Sequence, residues 1–495
     1  MKKLQMFILE LLLILSFVSI ISANAFNSYI ISSIQFQTIE FSGASTLPEE
    51  IELLYPSGYH NLSQVYEELD MFNKSAVNLI NYSDIGYSYY SNPIPLITLT
   101  NEKIPEYTKG ETFIVAHHHA REFCTIEHVL RMIRDLLNEY GTDETTTFLL
   151  DHFIIYIIVT LNPDALNIAL YENEWQRKAA RPIDEDGDGL YDEDPPEDID
   201  GDGRIREFAI ARKGVWEWST FFEGIDNDND SLVNEDRIGG VDLNRNYPFH
   251  WNDNSTDSGW GDDASSFSFP GSNPLSEPES LALTKFVVKH NFTQSLSLHS
   301  GTNTSLLGWS YTNTSQAEAS MYTNIMYYLE LGNLLPESFF AAENELDYTT
   351  AGEWGDWMYT TQQSIPMTLE IYHMTGSELW YYYEENSTHE TWTRNTLWEY
   401  FNPPAEKLDS LHNDLMPFEK YWIGLTPSIE FLGFSNQSIS KDEYEIAVKV
   451  TTGSQFFNTT DNPRVFVSPS HSGIIRDIPS TIPTLLRNSE TRVRI

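Results

Sequence analysis

Residues 153–160 read FIIYIIVT. A run this apolar and β-branched has no polar face to offer water, so it fits a strand covered on both sides. It ends in Asn162-Pro163-Asp164, a turn signal. Upstream, TFIVAHHH is a second apolar strand that runs into three histidines. After it, Ile126, Val129, Leu130, Ile133 and Leu137 recur at helical spacing. FTQSLSLHSG and SIPMTLEIYH are two further short strands. Strands alternating with helices predict an α/β sheet covered on both faces. Beyond about Leu415 the pattern changes to alternating apolar and polar residues with turns between, as in PSIEFLGFSN and YEIAVKVTTG. Residues 416–495 are expected to form a small C-terminal β domain, an accessory module.

The amino terminus has its own signature. Residues 1–25 combine a basic start, an apolar middle and a small-residue ending at Ala25, which reads as a secretory signal peptide. Glu10 interrupts the apolar run, and no later segment reaches the roughly 18 uninterrupted apolar residues of a membrane span. A secreted protein is expected, with no stable membrane span after signal cleavage. Residues 26–50 form a short leader, too short for a globular pro-domain. Cys124 is the one cysteine, so no internal disulfide can form.

A net charge of −44 argues against nucleic acid and anionic membrane surfaces as partners. Much of that charge lies in one insert, residues 184–236. There, acids recur at i, i+2 and i+4: Asp184, Asp186 and Asp188; Asp198, Asp200 and Asp202; Asp226, Asp228 and Asp230. Gly189 and Gly203 permit sharp turns. Calcium takes six to eight hard oxygen ligands, and such spacing suits it. None of the three has the glutamate of a full EF-hand, but Asp192, Asp194, Glu207 and Asp236 could close the shells. Unpaired like charges this dense would repel, so structural calcium is expected, in a chain that has no disulfides to staple it.

The histidines pose a separate question. Catalytic zinc takes three protein ligands and keeps one position for water. Three residues after His117, His118 and His119 stand Ala120, Arg121 and Glu122, so only His119 has a ligand partner at that spacing. His117 and His118 are expected to be hydrogen-bonded surface residues. A third ligand has to come from elsewhere, and His299 ends SLSLHS in an equivalent position.

HHHAREF resembles the H-A-R-E segment of zinc metallocarboxypeptidases of the M14, carboxypeptidase A-like type. Four further segments match in that family's order: NEWQRKAAR, GGVDLNRNYP, SLSLHS, and LDYTTAGEWGDWMYTTQQSIPMTLE. The resemblance covers roughly residues 55–415. It implies a mixed, mostly parallel central sheet with helices on both faces, and a zinc-dependent exopeptidase acting on peptides or proteins with a free C-terminus. By the same resemblance His119, Glu122 and His299 hold one zinc ion, Glu370 is the general base, and Arg177 polarises the scissile carbonyl. Asn244 and Arg245 clamp the substrate carboxylate, with Tyr348 beside them, and Asp242 orients the first histidine. Gly355 lies at the floor of the specificity pocket, flanked by Glu353, Trp354 and Asp356. A glycine floor suits a long or aromatic side chain, whereas the adjacent acids suit Lys or Arg, and the sequence leaves both open. The chain departs from the family pattern at Gly301, Gln176 and Glu174. The catalytic domain is expected over residues 51–415, as a monomer. Two rivals use the same scaffold: a cell-wall-type peptide amidase or endopeptidase, and a catalytically inactive binding module.

Overall fold

A computed structural model describes residues 50–106, 109–173, 175–201, 205–212, 218–257, 263–306, 309–312, 349–362, 364–374, 380–385, 389–394, 397–424, 429–438, 444–452 and 491–494. Helix α1 spans Leu62–Ser75 and opens with a reciprocal cap between Asn61 and Gln64. Strands β1 (Ile80–Tyr87), β2 (Pro93–Leu99) and β3 (Gly110–Ala116) follow, then α2 (Cys124–Glu139), α3 (Glu144–His152), β4 (Phe153–Ile158) and α4 (Pro163–Tyr171). The insert contributes β5 (Glu207–Arg212) and β6 (Trp218–Phe222). After it come α5 (Pro278–Val287), β7 (Gln294–His299), β8 (Asn303–Leu306), α6 (Trp354–Gln362) and β9 (Ile365–Ile371). The remaining elements are β10 (Trp380–Glu385), β11 (His389–Arg394), α7 (Leu397–Phe401), α8 (Leu408–Gly424), β12 (Ile429–Ser438), β13 (Tyr444–Thr452) and β14 (Thr491–Arg494).

The central sheet has seven strands in the order β1-β2-β4-β3-β7-β9-β8. Pairs β4/β3, β3/β7 and β7/β9 are parallel, while β1/β2, β2/β4 and β8/β9 are antiparallel. Five strands therefore run one way, against β2 and β8: a mixed, mostly parallel sheet, as expected.

Alternation along the strands supplies both faces. Ile114, Ala116, Ile155, Ile157, Leu296 and Leu298 join Val129, Leu130 and Ile133 of α2 and Phe418 and Trp422 of α8 in one core. Phe113, Val115 and Ile158 point the other way, onto Leu283 and Val287 of α5 and Trp354 and Met358 of α6. Burying each such side chain contributes about 1.5–3 kcal/mol. This is why β3 and β4 are apolar on both faces.

Helix α8 crosses residue 415 and continues to Gly424. Its Glu419 accepts from His128 of α2 at 2.5 Å, so packing of the catalytic body extends beyond the expected edge. Strands β12, β13 and β14 form a separate three-stranded antiparallel sheet. Within the insert, β5 and β6 pair with each other, and β5 pairs with β11, in a four-stranded sheet ordered β10-β11-β5-β6. No described helix is long and apolar enough to cross a membrane.

Candidate metal centre

Parallel strands β3, β7 and β9 end side by side, and chemistry in open α/β sheets gathers at that edge. His117 follows β3 with φ of 60°, a left-handed conformation that ends the strand. Its ring is held by Thr160 Oγ1 at 2.8 Å and the Ala120 carbonyl at 2.9 Å. His118 touches Tyr247 OH at 3.1 Å and Ser297 Oγ at 3.2 Å, and its ring stacks on His299. Both are hydrogen-bonded, as expected, but neither is a surface residue: each is fully buried. Burial pushes His117 down to about 4 and His118 well below the usual histidine range. Both rings are therefore neutral spacers beneath the site.

His119 and Glu122 sit in the turn between β3 and α2. His119 Nδ1 lies 2.8 Å from Glu122 Oε1 and 3.2 Å from His299 Nδ1, and the latter lies 3.0 Å from Glu122 Oε2. Although burial opposes it, the two histidines hold Glu122 well below the usual carboxylate range. On the far side of the His119 ring, Nε2 meets Asp242 Oδ1 at 3.2 Å. Burial would raise Asp242, but Arg177, His119 and Arg245 hold it well below the ordinary range. Asp242 is thus an acceptor on one side of the His119 ring, with the Glu122 carboxylate and the second imidazole on the other. Three buried ligand atoms within 4.8 Å of one another present electron pairs to one point. Left without positive charge, such a cluster repels itself. Two imidazole nitrogens and one carboxylate, backed by an orienting carboxylate, suit zinc with one open position.

Glu370 in β9 stands opposite His299 in the β7/β9 register. Its Oε2 is shielded from solvent and has no hydrogen-bond partner among the described residues. Burial and the Glu122 charge raise it well above the ordinary carboxylate range, against Arg177, the Thr302 N–H and Arg245. Arg177 donates from Nε to Asp242 Oδ2 at 3.0 Å, and its Nη2 is also 3.0 Å from that oxygen. One carboxylate therefore holds both the histidine and the arginine.

Asn244 and Arg245 lie on a 3-10 turn, Leu243–Arg245, capped by Asp242 Oδ1 accepting the Asn244 N–H at 2.9 Å. Arg245 is buried; Nη1 donates to the Asn244 carbonyl at 2.8 Å, and Nε has no partner among the described residues. Asn244 accepts the Trp354 N–H at 3.1 Å and makes a long 3.4 Å contact to Glu353. Gly352, at φ of +62°, lets that segment approach the turn: a Cβ there would sit 2.2 Å from the Arg245 carbonyl oxygen. Around Gly355 the acids are already engaged. Glu353 Oε2 accepts the N–H groups of Gly355 at 2.6 Å and Asp356 at 3.2 Å. Asp356 accepts those of Ser310 at 2.9 Å and Tyr311 at 3.0 Å. Tyr348 and Asp202 lie outside the described residues.

In the insert, Asp184 and Asp226 make the same turn, each accepting N–H groups three and five residues ahead. Carboxylates of Asp184, Asp186 and Asp188 gather, and Asp198 and Asp200 gather with Glu223. Glu207 stands in β5, paired with Phe222. Asp192 instead binds the Gly239 N–H at 3.2 Å. Asp188 and Asp228 gather around Glu193, so the first and third acid loops meet. Glu193 and Glu223 carry no spacing signal; only the folded chain brings them in.

Residues 65–413 match the zinc carboxypeptidase family as a whole. Zinc carboxypeptidase from Saccharothrix mutabilis subsp. capreolus is 31% identical over 110 residues, covering 22% of this chain and 25% of that protein. Carboxypeptidase B2 from Bos taurus is 24% identical over 336 residues, covering 64% of this chain and 63% of that protein. The chain thus spans less than two thirds of either relative. Among solved structures, thrombin activatable fibrinolysis inhibitor superposes with a TM-score of 0.52 at 17% identity, over 77% of both chains. Carboxypeptidase A from Helicoverpa armigera gives 0.53 at 15% identity, over 77% of this chain and 75% of that one. These likenesses share the fold of the sheet described above. With the family match running from α1 into α8, the chain belongs to the zinc carboxypeptidase family.

Proposed function

We propose that this protein is an exported zinc exopeptidase that removes the C-terminal residue of peptides and proteins. His119, Glu122 and His299 would hold the ion, which when bound supplies a Lewis acid that activates water and polarises a carbonyl. Glu370, with an unpartnered carboxylate oxygen beside the ligands, takes a proton from the attacking water and returns it to the leaving amine. Arg177, held in place by Asp242, presents its guanidinium to the developing oxyanion. Asn244 and Arg245 receive the substrate's terminal carboxylate, for which a guanidinium fork is well shaped. Asn244 can exchange its long contact with Glu353 for that carboxylate. Tyr348 is the further substrate-binding residue in this reading.

The observation that carries the exopeptidase reading is the buried Arg245, whose Nε lacks a partner among the described residues, on the turn beginning at the carboxylate that holds His119. An arginine left so needs an anion, and a free C-terminus is one. Amidating a peptide's C-terminus removes that anion and should cost about 2–5 kcal/mol in kcat/KM. Equal cleavage of amidated and free peptides would instead favour the amidase or endopeptidase reading.

The preferred terminal residue is proposed to be aromatic or long and apolar. Glu353 Oε2 and both Asp356 oxygens are spent on backbone N–H groups, Glu353 Oε1 faces the Asn244 amide, and burial with the Glu353 charge pushes Asp356 up to about 8. Neither is placed to pair with a substrate Lys or Arg. For the insert, the proposed cation is structural calcium.

A further inference from the structure

Asp236 ends the acidic insert and is fully buried. Its Oδ1 accepts the Glu185 N–H at 3.2 Å, while Oδ2 is shielded from solvent with no hydrogen-bond partner among the described residues. Glu193 Oε2 is shielded and unpartnered in the same way. Carboxylate oxygens of Asp186, Glu193 and Asp236, from well-separated parts of the insert, lie within 4.8 Å of one another. Burial and the neighbouring Glu193 push Asp236 up to about 8, which marks a carboxylate short of positive charge. An all-carboxylate set of hard oxygens suits calcium, which takes six to eight such ligands in flexible geometry.

The same residues lead towards Arg177. Glu185, which donates its N–H to Asp236, pairs its carboxylate with Lys178, the neighbour of Arg177. Its other oxygen accepts the Arg237 N–H at 3.4 Å. The Arg237 guanidinium lies 4.7 Å from the centre of the Phe267 ring and 5.5 Å from that of Phe222, with Nε and Nη1 buried and without a hydrogen-bond partner among the described residues. With Trp175, Gln176 and Arg177, the side chains of Arg237, Phe222 and Phe267 line a small surface pocket. Between Arg237 and Asp242 the chain is pinned: a Cβ on Gly240 would meet Ile183 at 1.8 Å.

We propose that one calcium ion bridges Asp186, Glu193 and Asp236 and fixes Arg237 in the wall of the pocket beside Arg177, so that a cation apart from the zinc ligands governs peptide binding. The binding half stands on the insert alone; the kinetic half rests on the peptidase reading above.

Protein dialysed free of calcium, with stoichiometric zinc verified by elemental analysis, is titrated with Ca²⁺ in a calorimeter. Wild type is expected to bind calcium, and Glu193→Gln and Asp236→Asn each to lose one ion or weaken it at least tenfold. Glu193 is half-buried, so its variant should retain the native circular dichroism even if Asp236→Asn does not fold. Calcium removal is expected to raise KM for a free tetrapeptide at least fivefold at constant zinc. Arg237→Gln should raise KM similarly and lose the calcium response while still binding calcium. No calcium binding by wild type, or unchanged stoichiometry and affinity in Glu193→Gln, overturns the site. Calcium binding with KM unmoved overturns the link to the pocket. Absence of hydrolysis under every condition overturns the peptidase reading, and the calorimetry then decides the site by itself.

Discussion

Asp242→Asn tests how the centre is built. The carboxylate is fully buried and serves three donors: Oδ1 takes His119 Nε2 at 3.2 Å and the Asn244 N–H at 2.9 Å, while Oδ2 takes Arg177. An amide of the same shape keeps one acceptor, so its NH₂ must face either the histidine or the arginine. If it faces His119, the imidazole loses the bond that fixes its tautomer; losses of this kind cost roughly 10–100-fold in metal affinity. If it faces Arg177, a charge-assisted bond of about 1.5–3 kcal/mol disappears, which is roughly 10- to 150-fold in kcat/KM at saturating zinc. Zinc competition against a chromogenic chelator reads the first loss, and peptide hydrolysis at saturating zinc reads the second. In an Arg177→Ala background the second loss should vanish, since its partner is already gone. Zinc affinity and kcat/KM both within twofold of wild type would refute the forked role of Asp242.

Glu370→Gln is expected to abolish turnover while zinc stays stoichiometric by elemental analysis, because Glu370 stands beside the ligand cluster rather than within it; comparable kcat would sink its role as base. His299→Ala should lose the metal, and retained stoichiometric zinc would show another third ligand. A peptide panel read by mass spectrometry should show Phe-terminated substrates shortened faster than Lys-terminated ones, and the reverse order would make Glu353 or Asp356 a cation receptor. Against burial, hydrogen bonds to Glu127 and Glu68 push His60 up to about 9, compared with roughly 6.5 in an unfolded chain. The folded state therefore keeps a proton that the unfolded chain releases, so this stabilisation is full below about pH 6.5 and is lost as pH rises through 9. It amounts to about 3 kcal/mol. Tm should fall between pH 6.5 and 9 in wild type and fall less in His60→Gln, and equal slopes would refute it.

Much of this was legible in the sequence where the signal is local. The run Phe153–Thr160 reads as a covered strand because both faces of its residues find cores, and the structure places Ile155 and Ile157 in one, Ile158 in the other. The pairing of His119 with Glu122 follows from spacing within one turn. His117 and His118 misled because three adjacent histidines look polar; each instead is buried on partners that include Thr160, Tyr247 and Ser297, far along the chain. The sheet of β5, β6, β10 and β11 had no counterpart in the expectation for the insert. Its register joins residues 207–222 to 380–394, and pairing over that separation has no local periodicity to betray it.

The acids of the insert were legible in sequence only in part. Triplets such as Asp184, Asp186 and Asp188 announce themselves by spacing, but they are exposed or half-buried and already accept backbone N–H groups. Exposed acids can be left to water at little cost, so they say less about a cation than a buried one. Asp236 is the opposite case: outside the triplet spacing and expected only to help close a shell, it is fully buried with an oxygen that has no donor among the described residues. A carboxylate in that state must be neutral or meet a positive charge. Asp242 solves the problem with a histidine and an arginine. Asp236 has Glu193 and Asp186 for neighbours and is pushed up to about 8, so it is met either by a proton shared with Glu193 or by the proposed cation.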